Sequence, residues 1–219
     1  MFSIMWGMQQ CLFGHGEPSF DARMRRAERF ELGKGAWLEY LPGWLQGHSE
    51  LFDALVRSAD WHREQRRMYE REVEVPRLMA RAPRDSSATP VLRGMSYALS
   101  ERYHLELNHL TLAWYRNGAD SVAPHGDKLG SLTDNTVVAI VSLGEPRRFT
   151  LRPAEGGATR FLRPGYGDLV VMGGTCQRTF LHAIPKQGQA GPRMAVMFRP
   201  EVPWERSAGP GRALNPPGM

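Results

Sequence analysis

The 219-residue sequence has only two cysteines, Cys11 and Cys176, and lacks any run of the roughly 18–20 apolar residues that a membrane span requires. Two thiols are too few for a disulfide framework or an all-thiolate zinc site. The apolar stretch 1–13 has neither the basic leading region nor the small-residue cleavage site of a signal peptide. We therefore expect a cytoplasmic protein with no membrane partner. The length is that of one globular domain, and we expect a monomer.

Lysine is scarce as well: it accounts for three of the 28 basic residues, and the other 25 are arginines. The formal net charge is +5. Because the arginine fork matches phosphate geometry, this composition is compatible with a nucleic-acid partner. The codon usage of a GC-rich genome explains it equally well. The basic stretch 23–29 has a similar ambiguity, since it fits either a solvated surface or a binding arm.

The first half of the chain predicts a helix followed by a short strand. Leu51 and Leu55 have helical spacing within an apolar pattern that covers residues 43–68. Valines then alternate with glutamates up to Pro76, which predicts a strand that the proline ends. Residues 81–90 show no apolar periodicity and predict a loop.

Beyond residue 107, short strand-like runs alternate with turns rich in glycine and proline. No helix of 10–15 residues fits between these runs, so parallel βαβ units are disfavoured and a sandwich or jelly roll is favoured. We expect a mainly β fold with flanking helices (α+β), in which an N-terminal extension (1–90) with a helix precedes a jelly-roll core (91–204) and a flexible tail (205–219). The predicted strands are 110–115, 136–143, 148–151, 159–162, 168–172, 179–182 and 193–198.

The motif with the most chemical content is His125-Gly126-Asp127. In extended backbone, residues two apart face the same side, so this imidazole and this carboxylate can converge. A second histidine would complete a 2-His-1-carboxylate triad, which binds Fe(II) and leaves coordination positions open. His182 is the best placed of the other histidines, because it ends a predicted strand in the β-rich half. The alternative for the His-x-Asp pair by itself is a turn aspartate beside a surface histidine.

A pair of arginines supports this interpretation. If residues 193–199 form a strand, Arg193 and Arg199 lie on the same face. Burying both would be unfavourable unless an anion met them, and a dicarboxylate bound to the iron is such an anion. The alternative is an edge strand whose arginines face water.

Between residues 110 and 200 the sequence resembles the AlkB family of 2-oxoglutarate- and Fe(II)-dependent dioxygenases. It is most similar to the branch that contains the human DNA-repair members and their bacterial relatives. A weaker likeness extends upstream through 49–68 and 75–78. The segments that match in order and spacing are 115–127, 138–143, 146–149, 167–170, 177–182 and 191–199.

The resemblance implies a double-stranded β-helix and the oxidative dealkylation of N-alkylated bases in DNA or RNA, with Fe(II) as cofactor and with O₂ and 2-oxoglutarate as cosubstrates. It implies that the triad named above holds the iron. Arg193 would bind the distal carboxylate of 2-oxoglutarate with help from the Tyr115 hydroxyl. Arg199 would lie near the chelating end of the cosubstrate.

The resemblance also implies that the N-terminal extension (1–90) carries a nucleotide-recognition lid, with residues that contact the nucleic acid. In the repair members, a loop before a Pro-Arg element carries an apolar wedge that fills the gap left by the flipped base. Met68 and Tyr69 hold that place here, unless they end the preceding helix and pack inward. Arg77 matches the arginine of the element, and it would either reach a phosphate or base edge or be an ordinary surface residue.

Three departures from the family concern binding. Ala113 and Ala195 stand where asparagines usually contact 2-oxoglutarate. Each lost hydrogen bond is worth about 1 kcal/mol, which together predicts about tenfold weaker cosubstrate binding by an active enzyme. In addition, no acid follows Asp127 before Asp134, whereas repair members place one nearby that favours a cationic methylated base.

Two further functions therefore remain open. The first is a 2-oxoglutarate oxygenase that hydroxylates a tRNA base or a protein side chain, which the missing acid favours. The second is a catalytically silent, nucleic-acid-binding jelly roll that keeps a structural metal. The complete triad and both arginines argue against the second, because a binding module has no use for an open iron site.

Overall fold

A computed structural model describes residues 15–68, 71–127, 129 and 136–201, without the side chains of residues 64–74. This part of the chain contains fourteen strands and three helices. The strands are β1 (Ser19–Phe20), β2 (Glu28–Gly33), β3 (Ala36–Leu41), β4 (Leu45–Gln46), β5 (His62–Met68), β6 (Arg71–Arg81), β7 (His109–Tyr115), β8 (Val122–His125), β9 (Thr136–Gly144), β10 (Phe149–Pro153), β11 (Arg160–Leu162), β12 (Asp168–Gly174), β13 (Phe180–Ile184) and β14 (Arg193–Arg199). The helices are α1 (His48–Ser58), α2 (Thr89–Tyr103) and the single turn α3 (Cys176–Thr179).

Two antiparallel sheets form the core of the fold. The large sheet has the strand order β2-β3-β12-β9-β14-β7-β6-β5, and the small sheet has the order β11-β10-β13-β8. One apolar cluster joins their facing sides, with Ile140 and Met172 from the large sheet and Phe149 and Ile184 from the small one. A second cluster lies between the large sheet and helices α1 and α2. The mainly β, jelly-roll-like prediction is thus confirmed, and all seven predicted strands are present.

Strand β14 shows how the sequence pattern positions the site. Met194, Val196 and Phe198 pack toward the helices, while Ala195 and Met197 face the small sheet. The two arginines at the ends of β14 share the latter side. Since β14 pairs with both β9 and β7, it is a central strand, and the edge-strand alternative is wrong.

The prediction of a helix through residue 68 is wrong in its second half. Helix α1 ends at Ser58, and Ala59 already has extended backbone angles. Beyond that point the side chains are mostly polar and offer no apolar stripe for a helix to bury. The segment instead forms β5, an edge strand that pairs with β6.

Pro76 does not end its strand, in contrast to the prediction. Strand β6 continues to Arg81, and its register with β5 jumps from Glu74 opposite Gln65 to Leu78 opposite Arg63. Pro76 lies in the resulting bulge, where a missing N–H is tolerated. The predicted loop 81–90 is also shorter than expected, because α2 begins at Thr89 with a proline in its first turn.

The basic stretch 23–29 lies mostly at the surface and ends in β2, an edge strand of the large sheet. Met24 is buried in the cluster on the helix side, while Arg23 and Arg25 are exposed and their backbone N–H groups donate to the Asp21 carboxylate. Arg29 pairs with the buried Glu39. The structure thus favours the solvated-surface interpretation. The predicted tail 205–219 lies outside the described residues.

Candidate active site

The two predicted histidine ligands are cross-strand neighbours. His125 ends β8, His182 lies in β13, and the two residues are directly paired in the small sheet with their ring centroids 4.3 Å apart. Asp127 follows two residues after β8. One ligand atom from each of the three residues can be chosen such that all lie within 4.8 Å of one another. The structure therefore brings together the three residues that the sequence predicts as metal ligands.

The short helix α3 determines where Asp127 sits. The Asp127 backbone N–H donates to Gln177 Oε1 at 2.9 Å. A Cβ atom on Gly126 would lie 2.3 Å from the Gln177 carbonyl oxygen, so only glycine fits between the two ligands. Gln177 falls within a segment that matches the family, but nothing in the sequence indicated that it holds the aspartate in place.

Both imidazoles are suited to metal binding. His125 Nδ1 lies 2.9 Å from the Ala123 carbonyl oxygen. Because that oxygen can only accept, Nδ1 carries a hydrogen, and Nε2 is the nitrogen that would coordinate a metal. Burial lowers the pKa of His182 to about 3, so this ring is neutral at physiological pH. His182 is also stacked on Phe149, with 5.7 Å between ring centroids.

Arg199 holds the carboxylate of the triad. Its Nε and Nη2 donate to Asp127 Oδ2 and Oδ1 at 2.9 and 3.1 Å, and its Nη1 donates to Thr111 Oγ1 at 2.7 Å. Burial on its own would raise the pKa of Asp127, but the Arg199 guanidinium and the nearby imidazoles outweigh it and hold the pKa at about 2. Asp127 is therefore ionised, as a metal ligand must be.

These donors fit Fe(II). Two imidazoles and one ionised carboxylate, converging from one side of a cavity, form the 2-His-1-carboxylate set that non-haem iron oxygenases use. Each carboxylate oxygen has a second lone pair, so Asp127 can serve a metal while it stays bonded to Arg199.

A buried arginine forms the other end of the cavity. Arg193 is 1% exposed, and its Nη2 donates to Ser142 Oγ at 2.8 Å. Its Cζ lies 5.3 Å from the ring centroid of Tyr115, and its Nε has no hydrogen-bond partner among the described residues. Burial lowers the pKa of Arg193 to about 10, so the guanidinium is still charged at neutral pH. A buried cation with an unused donor fits a carboxylate such as that of 2-oxoglutarate.

Two more arginines lie beside Tyr115, and neither arrangement could be predicted from the sequence. Arg147 is fully buried; its guanidinium donates to the carbonyl oxygens of Asn117, Asp120 and Pro185 at 2.9, 3.0 and 3.2 Å. Arg77 is 6% exposed and donates from Nη1 to the Tyr115 hydroxyl at 3.1 Å. Arg77 also lines the cavity. It is therefore not an ordinary surface residue.

The remaining predicted positions are only partly described. Met68 is the last residue of β5 and pairs with Arg71, but its side chain, like Tyr69 and Asp134, lies outside the described residues. The wedge thus stays a prediction.

Ala113 and Ala195 are directly opposite each other on neighbouring strands, and both are buried on the cavity side of the sheet.

The fold and the site define a jelly-roll metalloprotein with a 2-His-1-carboxylate centre. Residues 87–212 match the 2OG-Fe(II) oxygenase superfamily, and the chain belongs to that family. As a member, it uses Fe(II) and 2-oxoglutarate.

The resemblance to AlkB proteins is also confirmed: the chain is 32% identical over 129 residues to the human alpha-ketoglutarate-dependent dioxygenase alkB homolog 3, an alignment that covers 54% of this chain and 45% of the human protein. The chain thus spans about half the length of this relative.

Solved structures support the fold. A prolyl hydroxylase from Trichoplax adhaerens, in complex with a hypoxia inducible factor peptide, has a TM-score of 0.59 and 13% identity, covering 95% of this chain and 98% of its own. OsALKBH1 has a TM-score of 0.56 and 13% identity, covering 80% and 100%. At such low identity these similarities concern the fold alone. Within the described part of the chain, helices long and apolar enough to span a membrane are absent.

Proposed function

We propose that the protein removes alkyl groups oxidatively from N-alkylated bases in nucleic acid, with Fe(II) and 2-oxoglutarate. The observation that carries the proposal is one cavity lined both by the three metal-ligand candidates and by Arg193, within a segment that resembles the AlkB family. When bound, the iron would activate O₂: 2-oxoglutarate would be oxidised to succinate and CO₂ by one oxygen atom, and the other would hydroxylate the N-alkyl carbon, so that the resulting hemiaminal releases the alkyl group as an aldehyde and leaves the base with an N–H.

The residues of the chain have distinct tasks in this proposal. His125, His182 and Asp127 hold the metal, and Arg199 keeps the carboxylate charged and oriented. Arg193 and Tyr115 bind the distal carboxylate of 2-oxoglutarate in a buried pocket, where a charge-assisted hydrogen bond is strong. Arg199, at the metal end of β14, lies where the chelating end would be.

The β5–β6 hairpin is the proposed recognition element. Arg77 and Met79 of β6 line the cavity, so the paired strands extend from the site toward Met68, the last residue of β5. A base within a duplex must be flipped out of the stack to reach a buried metal, and Tyr69, the next residue in the sequence, is our candidate to fill the vacated space. The division into a recognition extension (1–90), a catalytic core (91–204) and a tail (205–219) remains part of this proposal, as does action on DNA or RNA by a cytoplasmic monomer.

Mass spectrometry of modified oligonucleotides tests the proposal. Methylated and etheno bases in DNA and RNA, single- and double-stranded, would be incubated with the protein, Fe(II), ascorbate and 2-oxoglutarate. We expect the loss of one CH₂ unit from a methylated base, and no loss with His182→Ala. The matched control is His104→Asn, which replaces an exposed histidine at the end of α2, outside the hairpin, and should leave the loss unchanged.

One observation favours a second candidate. The absence of an acid between Asp127 and Asp134 in the sequence removes an expected attraction for cationic bases. A 2-oxoglutarate oxygenase acting on a tRNA base or a protein side chain would not need that acid. Succinate formation without any change in the oligonucleotides would support this second function and contradict the first. If neither succinate nor base loss appeared after iron loading, the catalytically silent interpretation would gain support.

A further inference from the structure

We propose that Arg77 is a positioning residue of the 2-oxoglutarate site, acting through the Tyr115 hydroxyl and linking the β5–β6 hairpin to the cosubstrate. The resemblance assigns Arg77 to nucleic-acid contacts, and the hydrogen bond to Tyr115 indicates a different role. The inference relies on the proposed roles of Tyr115 and Arg193. It does not depend on which substrate is oxidised.

The direction of the hydrogen bond is the first argument. Arg77 Nη1 donates to Tyr115 Oη at 3.1 Å, and a guanidinium has no accepting atom. The phenol oxygen therefore accepts from Arg77, and its own hydrogen must be donated elsewhere. Arg193, the other cation beside this ring, is a donor as well. A carboxylate between Arg193 and Tyr115 would supply the acceptor that the phenol needs.

The placement of the charges is the second argument. Arg77, Arg147 and Arg193 lie around one phenol ring, and none is more than 6% exposed. Arg147 donates hydrogen bonds to three backbone carbonyls and so connects the surrounding loops. Arg77 and Arg193 both approach Tyr115. The Nε of Arg193 is an unused donor in this buried space, so this end of the cavity is suited to a carboxylate.

The row of residues next to Tyr115 supplies the third argument. Met79, Ala113 and Ala195 are consecutive partners across three strands and offer no side-chain donor to the cosubstrate. Recognition is therefore concentrated at the Tyr115 end of the cavity, where Arg77 adds a guanidinium. The bulge at Pro76 immediately precedes Arg77, and bulges commonly redirect a side chain toward a site.

A consequence is that cosubstrate binding and hairpin ordering are linked. Tyr115 belongs to a central strand, whereas Arg77 belongs to the hairpin. If 2-oxoglutarate fixes Tyr115, it also favours the hairpin position in which Arg77 reaches that hydroxyl. By thermodynamic linkage, ordering of the hairpin then strengthens cosubstrate binding by the same factor.

Calorimetry of 2-oxoglutarate binding to the full-length protein loaded with Mn(II) tests the role of Arg77, without nucleic acid and without turnover. We expect Arg77→Gln to weaken binding about tenfold, or ~1.4 kcal/mol, and Arg77→Lys to restore part of the loss. Arg81→Gln is the control, because Arg81 is an exposed arginine four residues further along the same strand. Unchanged binding by Arg77→Gln, or an equal loss with Arg81→Gln, would overturn the proposal.

A double-mutant cycle separates this role from a general effect on folding. If Arg77 acts through the phenol, Tyr115→Phe should remove most of the effect of Arg77→Gln, so the double variant should lose less affinity than the sum of the two single losses. Additive losses would contradict the mechanism. If Arg77→Gln failed to fold, Arg77→Lys and Tyr115→Phe would complete the same comparison.

Hydrogen exchange tests the linkage itself. Addition of 2-oxoglutarate to the Mn(II)-loaded wild type should slow backbone exchange in residues 62–81, and the slowing should be largely lost in Arg77→Gln. Equal slowing in both proteins would overturn the linkage. Because neither measurement uses a nucleic acid, a failure of the proposed dealkylation would leave both results interpretable.

Discussion

Arg199, the last residue of the central strand β14, donates hydrogen bonds to both carboxylate oxygens of Asp127, with N···O distances of 2.9 and 3.1 Å. The pair sits in a site where the metal requires an ionised ligand, and the arginine maintains that ionisation. Arg199 therefore has a role both in the metal-free and in the metal-bound protein. It compensates the aspartate charge before a metal binds, and it orients the ligand afterwards.

The stability of the metal-free protein should depend on this pair in a pH-dependent manner. Asp127 has a folded pKa of about 2 against an ordinary value of 3.8, so the pair contributes stability above pH 3.8 and loses it as the pH falls through about 2. We expect Arg199→Gln to lower the free energy of unfolding by about 3 kcal/mol at pH 7, because it leaves a buried carboxylate without its cation. Urea unfolding of both proteins from pH 7 to pH 2 measures this. A difference that stayed constant over that range would contradict the assignment.

Gly126→Ala should impair metal binding more than it impairs folding. The new methyl group would meet the Gln177 carbonyl oxygen at 2.3 Å, so Asp127 or α3 must move. We expect at least about a tenfold loss of Mn(II) affinity, the scale on which supporting contacts around a metal matter. Gly188→Ala is the control, since its added methyl group meets nothing within 4 Å. Equal metal affinities in the two variants would refute this explanation of the glycine.

Arg193→Ala should raise the 2-oxoglutarate requirement about a hundredfold, or ~2.7 kcal/mol, because it removes the buried partner of a carboxylate. The KM for 2-oxoglutarate, obtained from succinate formation, is the measurement. Arg148→Ala serves as the control: Arg148 is exposed and stacks on Phe161. If Arg193→Ala left the KM unaltered, the distal carboxylate would have to bind elsewhere.

Tyr69→Ala should reduce activity on double-stranded substrates more than on single-stranded ones, because only a duplex needs the gap beside a flipped base to be filled. The measurement compares initial rates on the same modified base in the two kinds of strand. Tyr97→Ala, which removes a tyrosine of α2 that is 68% exposed, should change neither rate. Equal losses on both substrates for Tyr69→Ala would assign this residue to packing.

The β-rich half of this protein could be predicted because its signals are local. Alternation along a strand placed Arg193 and Arg199 on one face, and a two-residue spacing placed His125 beside Asp127. Turn residues marked the limits of the strands. In each case the pattern within a few residues determined the outcome.

Prediction from the sequence failed where the local structure depends on a partner that is distant in the chain. Residues 62–68 have no distinct periodicity, and they are a strand because β6 pairs with them. Arg147 belongs to a residue type that is usually exposed, yet it is buried and donates hydrogen bonds to three carbonyl groups from two loops. The contact between Arg77 and Tyr115 spans 38 positions in the chain. Such contacts follow from tertiary packing and leave no local pattern.

The buried guanidinium of Arg147 connects the loop before β8, through Asn117 and Asp120, with the residue that follows β13, Pro185. Those two strands carry both histidine ligands, and they are also paired directly. The protein backbone thus sets the spacing of the histidines, and the metal is not required to assemble them. A chelator should then abolish the activity while leaving the protein folded, and adding iron back should restore the activity.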